Sequence, residues 1–186
     1  MAIRGGYRPH ILRIDLAEET VTREPLPGEE VLRKYVGGTG LGMYFLLQHD
    51  SQRVEATAPE APLIFMTGPL TGTPAVNSSD WTTVCFNPLI PYSAGVGHGH
   101  GFWGAYLKHA GHEGIIFTGR ASKPTYLWID DGRVELRDAG HLWGLDTRET
   151  ERRLKLELGD QENISVACIG PGGEAQLPGA SIKADR

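Results

Sequence analysis

Glycine and histidine carry most of the candidate chemistry in this chain. Two glycine clusters, Gly37-Gly38-Thr39-Gly40-Leu41-Gly42 and the alternating run Gly95-Val96-Gly97-His98-Gly99-His100-Gly101, each stand before a helix-like segment. Free backbone N–H groups at a helix N-terminus hold anions, and glycine lets a ligand come close to the backbone. The competing reading is steric: tight turns and backbone packed on backbone. The first cluster contains no G-x-G-x-x-G. The second contains one, Gly99-His100-Gly101-Phe102-Trp103-Gly104, but no apolar strand runs directly into it, and no Gly-Lys-Ser/Thr follows either cluster. A dinucleotide or nucleotide fold is therefore disfavoured.

His98, His100, His109 and His112 fall within 15 positions, and a fold-back would let two of them share a metal. No Asp, Cys or Glu lies between residues 98 and 112 to complete a ligand set, so partly exposed histidines are the simpler reading. His98 and His100 are alternatively donors to a bound oxyanion. Cys85 and Cys168 each adjoin a bulky apolar residue in a predicted strand, where a thiol packs as a small hydrophobe rather than acting as a nucleophile. Ser78, Ser79 and Asp80 form no readable triad, and there is no G-x-S-x-G. Trp103, Trp128 and Trp143 read as core or inter-sheet fillers.

The elements that position these residues are mostly strands. His10 to Leu16 and Thr20 to Glu24 read as an opening hairpin, closed by Pro25 and Pro27. Glu29 to Tyr35 reads as a short helix stopped at Gly37-Gly38, and a second runs from Leu41 to about His49, with the glycine turn between them. Pro62 to Thr67 and Trp81 to Phe86 read as strands. Gly95 to Gly101 reads as a loop entering a helix over Phe102 to His109. Ile115 to Thr118, Thr125 to Ile129 and Arg133 to Arg137 are strands, the last two joined by the hairpin turn Asp130-Asp131-Gly132. Asp146 caps a helix that runs through Leu154 and Leu158 to Gly159, and Ile164 to Ile169 is a final strand. There is no internal repeat and no linker, so residues 1–186 are expected to form one α+β domain dominated by sheet.

Composition narrows the function classes. Lys plus Arg number 18 against 23 Asp plus Glu, a net charge of −5, with no basic block for a phosphate backbone. Nucleic acid is therefore not an expected partner. The first 20 residues hold no signal-peptide core and no apolar run spans a bilayer, so a cytoplasmic protein with no membrane partner is expected. Two cysteines are too few for a four-cysteine zinc or iron–sulfur site. Twenty-five glycines, without collagen period or low complexity, require tight turns and close backbone approaches at several places.

Five segments, in order, resemble the N-terminal domain of the tungsten-containing aldehyde ferredoxin oxidoreductase family. They are Tyr35 to Gly42, Pro62 to Thr73 with its Gly68-Pro69-Leu70-Thr71-Gly72-Thr73, Gly101 to Gly111, Arg137 to Gly144, and Ile169-Gly170-Pro171-Gly172-Gly173-Glu174. The resemblance implies two β-sheets forming a saddle, with a few short helices, on which a tungsten bis-pterin lies. The metal, molybdenum being possible, is held mainly by the pterin dithiolenes. The cofactor-binding residues it implies are Gly37, Gly38, Gly40 and Gly42 on one pterin, and Thr71, Gly72, Thr73, Ser78, Ser79, Asp80 and Trp81 at a second loop. Gly97, His98, Gly99, His100 and Gly101 form a third. It assigns no catalytic acid or base and no protein metal ligand.

There are departures. Asp80 stands where the family usually has an arginine for the cofactor's anionic groups, and a carboxylate there repels phosphate. The family's Asn-Ser-Gly-Gly becomes Gly97 to Gly101 with one residue more, and its Ser-Pro-Leu-Thr-Gly becomes Asn87-Pro88-Leu89-Ile90-Pro91. The sequence ends at Arg186, before the family's second pterin loop and its helical domains. A [4Fe–4S] cluster would then come only from a missing C-terminal region or a partner subunit, and ferredoxin would be an indirect partner. The activity implied is oxidation of aldehydes to carboxylic acids. The alternative is a non-catalytic scaffold or assembly subunit that kept the fold and lost the cofactor. Self-association through an uncovered saddle fits either reading.

Overall fold

The computed structural model describes residues 5–49, 54–160 and 162–185. Ten strands and five α-helices follow in the order β1 (His10–Asp15), β2 (Thr20–Pro25), α1 (Glu29–Tyr35), α2 (Gly38–Leu46), β3 (Leu63–Thr67), β4 (Trp81–Phe86), β5 (Ala94–Gly99), α3 (Trp103–His109), β6 (His112–Thr118), β7 (Thr125–Asp130), β8 (Arg133–Asp138), α4 (Thr147–Glu157), β9 (Ala167–Cys168), α5 (Pro171–Glu174) and β10 (Lys183–Ala184). A 3₁₀ turn, Gly140–Leu142, precedes α4. Six strands form one mixed sheet in the order β2-β1-β6-β3-β4-β5, and β7-β8 and β9-β10 form two-stranded sheets. Among the described residues only β1 and β6 pair in parallel, and every other ladder is antiparallel. The class is α+β, as the sequence pattern requires.

Alternation along the central strands divides the core in two. On one face Ile11, Ile64, Met66, Val84 and Ile116 pack under α1 and α2, whose Leu32, Leu41 and Phe45 are buried. On the other face Leu12, Ile14, Phe65, Trp81 and Ile115 are covered by Leu107 of α3 and by the β7-β8 hairpin through Leu127, Ile129, Val134 and Leu136. A smaller cluster of Ala139, Leu142, Leu154 and Val166 seats α4. That helix begins as its sequence demands, with the Asp146 carboxylate accepting from Arg148 N and Glu149 N. Acidic Glu29 and Glu30 open α1 while Arg33 and Lys34 close it, in keeping with the helix dipole.

The structure differs from the sequence reading at four places. The run from Ala94 to Gly99 is an edge strand paired along its length with β4, not a loop. Helix α2 begins at Gly38, so most of the first cluster lies inside the helix rather than between helices. The final strand shrinks to Ala167–Cys168. Trp143 is 54% exposed, and Trp128 lies under the guanidinium groups of Arg137 and Arg133, at 3.7 and 5.3 Å from its ring, so neither is a simple core filler.

Candidate functional site

Where α2 starts, its backbone meets two other segments at an open cleft of about 410 Å³, within the range of roughly 300–1,000 Å³ typical of small-molecule sites. One wall is Val36 to Thr39. The second is Gly68 to Thr71, the turn leaving β3. A third comes from Asn77, Ser78 and Asp80 ahead of β4, and the floor is Thr82 of β4 with His98 of β5. The first two walls touch backbone to backbone: a Cβ at Gly37 would lie 2.8 Å from Gly68 Cα. Glycine is thus required there by the approach of the chain itself.

The first wall offers backbone donors. Gly37, the residue before α2, provides no side-chain cap. Gly40 N and Leu41 N donate to the Gly37 carbonyl, so the amides of Gly38 and Thr39 precede the first helical hydrogen bond. Gly38 has φ +51, in the left-handed region, as does Val36 at φ +61. For a β-branched residue this conformation costs about 1–3 kcal/mol, and such strain concentrates at ligand sites.

The second and third walls are held by their own hydroxyls. Thr71 Oγ1 accepts from Gly68 N at 3.0 Å and donates to the Asp80 carbonyl at 2.9 Å. Thr73 Oγ1 donates to the Leu70 carbonyl at 2.7 Å, and Ser78 Oγ to the Thr73 carbonyl at 2.8 Å. Gly72, at φ +74, donates from N to the Ser78 carbonyl. These side chains shape the loop, leaving largely backbone to face the cleft. Asp80 is not a bare carboxylate: His100 Nδ1 donates to its Oδ1 at 2.7 Å, with both side chains largely exposed. His98 Nδ1 and Thr82 Oγ1 share a hydrogen bond at 3.4 Å on the floor.

The structure brings Gly37, Gly38, Thr71, Ser78, Asp80 and His98 together in this cleft, and other expected residues lie apart from it. Gly40 and Gly42 are spent on packing, where a Cβ would meet the Tyr35 carbonyl oxygen at 2.2 Å and Val84 Cγ2 at 2.6 Å. Trp81 points to the opposite face of the sheet, stacked on Phe65 and beside Trp103. On that face Gly99 and Gly97 leave room for Trp81 and Thr83. Ser79 contributes its carbonyl to the packing of Gly104, and Gly101, at φ +84, lies against Asp185. The first amides of α3 are already taken, since Phe102 N and Trp103 N donate to Asp185 Oδ2 at 2.9 and 3.0 Å.

The histidines do not assemble around one point. His109 donates from Nε2 to the Gly72 carbonyl at 3.2 Å. His112 is buried on β6 with neither ring nitrogen partnered, and burial pushes its pKa down to about 4. Among the described residues no group of three or more His, Cys, Asp or Glu stands close enough to hold a metal. Burial raises the Cys85 and Cys168 thiols above their usual range, the opposite of an activated nucleophile. Among the described residues no helix is long and apolar enough to cross a membrane.

One feature was not legible in sequence: Lys108 of α3 and Glu113 of β6, 2% and 0% exposed, form an ion pair at 2.6 Å. Burial drives the lysine pKa down and the glutamate pKa up, and each partner opposes the other's shift.

Comparison with known proteins accords with this architecture. The family described as aldehyde ferredoxin oxidoreductase, N-terminal domain, matches residues 11–186. The tungsten-containing aldehyde ferredoxin oxidoreductase of Pyrococcus horikoshii is 42% identical over 95% of this chain and 29% of its own length. The aliphatic sulfonate oxidoreductase, WOR-like subunit, of Pyrococcus furiosus is 32% identical over 95% of this chain and 30% of that protein. In solved structures, a chain of the active site complex BamBC of benzoyl coenzyme A reductase superposes with a TM-score of 0.94 at 33% identity, covering 99% of this chain and 28% of that one. The chain spans under a third of the length of these relatives. With the family matched from the second residue of β1 onward and the fold shared nearly residue for residue, this chain belongs to the aldehyde ferredoxin oxidoreductase family and carries its N-terminal domain.

Proposed function

We propose that this chain is the pterin-binding domain or subunit of a tungsten, or molybdenum, oxidoreductase, and that the cleft at the start of α2 grips an anionic part of the cofactor. The observation that carries this reading is the uncapped glycine N-terminus of a nine-residue helix opening onto a cleft of suitable size. The donor set fits: backbone amides and an imidazole suit phosphate oxygens. When bound, the tungsten centre supplies the two-electron chemistry that converts an aldehyde to a carboxylic acid.

This chain's own residues bind and orient. The Gly38 and Thr39 amides fix the anionic group, His98 is steadied by Thr82, and Leu70 and Val36 supply apolar surface at the cleft edge. The cluster, the acid and base groups and the path to ferredoxin belong, in this reading, to a further region or a partner subunit. The relatives are named for an aldehyde, an aliphatic sulfonate and benzoyl coenzyme A. One domain shared by three such proteins argues that substrate choice lies outside it.

Asp80 is one of the features that favour the scaffold reading, and its hydrogen bond from His100 weakens that one feature. The deciding measurement is tungsten, molybdenum and iron content of the protein purified without oxygen from its own source. Tungsten or molybdenum with about four irons per heavy metal is the expected result. A protein free of both heavy metals would favour the scaffold.

A further inference from the structure

The Lys108–Glu113 pair lies outside the cleft, and nothing in the chemistry above uses it. Burying two charges is unfavourable unless the remaining protons and lone pairs are matched as well. Here residues 6–8 provide the matches. Lys108 Nζ donates a second hydrogen bond to the Gly6 carbonyl at 2.6 Å, and Arg8 N donates to Glu113 Oε2 at 2.7 Å. Thr67 Oγ1, at the end of β3, donates to the Glu113 carbonyl at 2.7 Å. The pair therefore clamps the segment before β1 onto the point where β3 turns into the cleft.

From that clamp the segment reaches two cleft walls. At Gly6 a Cβ would lie 1.6 Å from the Pro69 carbonyl oxygen, so the backbone rests directly on the second wall. Tyr7 Oη donates to the Val36 carbonyl at 2.7 Å, holding the left-handed residue of the first wall. An apolar pair of equal volume would serve the core as well as the ion pair does, but it would leave the Gly6 carbonyl and Arg8 N–H without partners.

We propose that residues 5–9 form a strap, anchored on Lys108–Glu113, that fixes the separation of the Val36–Gly38 and Gly68–Leu70 walls. Lys108, Glu113 and Tyr7 are then positioning residues for the cleft. The purpose of the strap rests on the cofactor-site reading above, whereas its mechanics do not. The test uses the full-length protein, a Tyr7→Phe variant and a Lys108→Met, Glu113→Leu double variant. Hydrogen exchange is followed at the hydrogen-bonded amides of Val36, Gly37, Gly40, Gly68, Thr71 and Gly72, with inorganic pyrophosphate titrated into each protein.

In Tyr7→Phe the cleft amides exchange about fivefold faster, and faster still in the double variant, while the β7-β8 hairpin keeps its rate. Pyrophosphate affinity falls in the same order. Accelerated cleft exchange in proteins that, the parent included, bind no pyrophosphate upholds the strap and removes the anion-site reading. Unchanged cleft exchange in Tyr7→Phe overturns the strap, even if the double variant fails to fold, and leaves Lys108–Glu113 as a core contact only.

Discussion

The glycines of residues 37–42 and those of residues 95–101 have the same look in sequence but face different neighbours. In the first group Gly37 and Gly38 line the cleft, while Gly40 and Gly42 let α2 lie against Tyr35 and Val84. In the second group no glycine lines it. Gly95, Gly97 and Gly99 accommodate Cys85, Thr83 and Trp81 of the neighbouring strand, and His98, on the alternate face, reaches the cleft instead. Period-two alternation explains the split: in a strand, every second residue shares a face. A glycine run is therefore a ligand loop only where its backbone is free, and here one run has been used to seat a tryptophan.

The largest effect that would test this contrast is at Gly99. A Cβ there would lie 2.1 Å from the Trp81 ring, which is buried between Phe65 and Trp103 and has no room to yield. Gly99→Ala should destabilise the fold by about 2–3 kcal/mol through overpacking, read as a lower denaturation midpoint. Pyrophosphate binding by the folded fraction should be unchanged. Loss of binding at unaltered stability would mean that the second run is a ligand loop after all.

Gly38→Ala should show the converse balance. Its φ of +51 makes alanine strained by about 1–2 kcal/mol, and the new methyl would sit 3.2 Å from Thr82 Oγ1 at the cleft floor. Pyrophosphate affinity, measured by calorimetry, should fall about tenfold as the helix start shifts and its charge-assisted hydrogen bonds weaken. A stability loss with undiminished affinity would put Gly38 in the same class as Gly99.

Much of the frame could be read from local chemistry. The β7-β8 hairpin follows from Asp130-Asp131-Gly132 between alternating strands, with Asp131 and Gly132 both at positive φ. The start of α4 follows from Asp146. Gly37, Gly38, Thr71 and His98, named through the family resemblance, come together in one cleft, although which glycines line it depends on strand pairing that no short window contains. Lys108 and Glu113 were not legible, because long charged side chains belong by default on the surface. Their burial depends on the carbonyl of Gly6 and the amide of Arg8, about 100 residues away in the chain. Asp185 on the start of α3 is hidden for the same reason.

The smallest expected effect separates a repelling carboxylate from a paired one. Asp80 and His100 are 61% and 74% exposed, so breaking their hydrogen bond with Asp80→Asn should change stability by no more than about 0.5 kcal/mol. Removing one negative charge from the rim should tighten pyrophosphate by about threefold at low ionic strength. That gain should vanish as salt shortens the range of the interaction. A gain well beyond tenfold, persisting in high salt, would mean that His100 leaves Asp80 as a standing barrier to anions. The first glycine cluster would then be a cradle that this chain keeps in shape while excluding what it was built to hold, which is the condition under which the scaffold reading prevails.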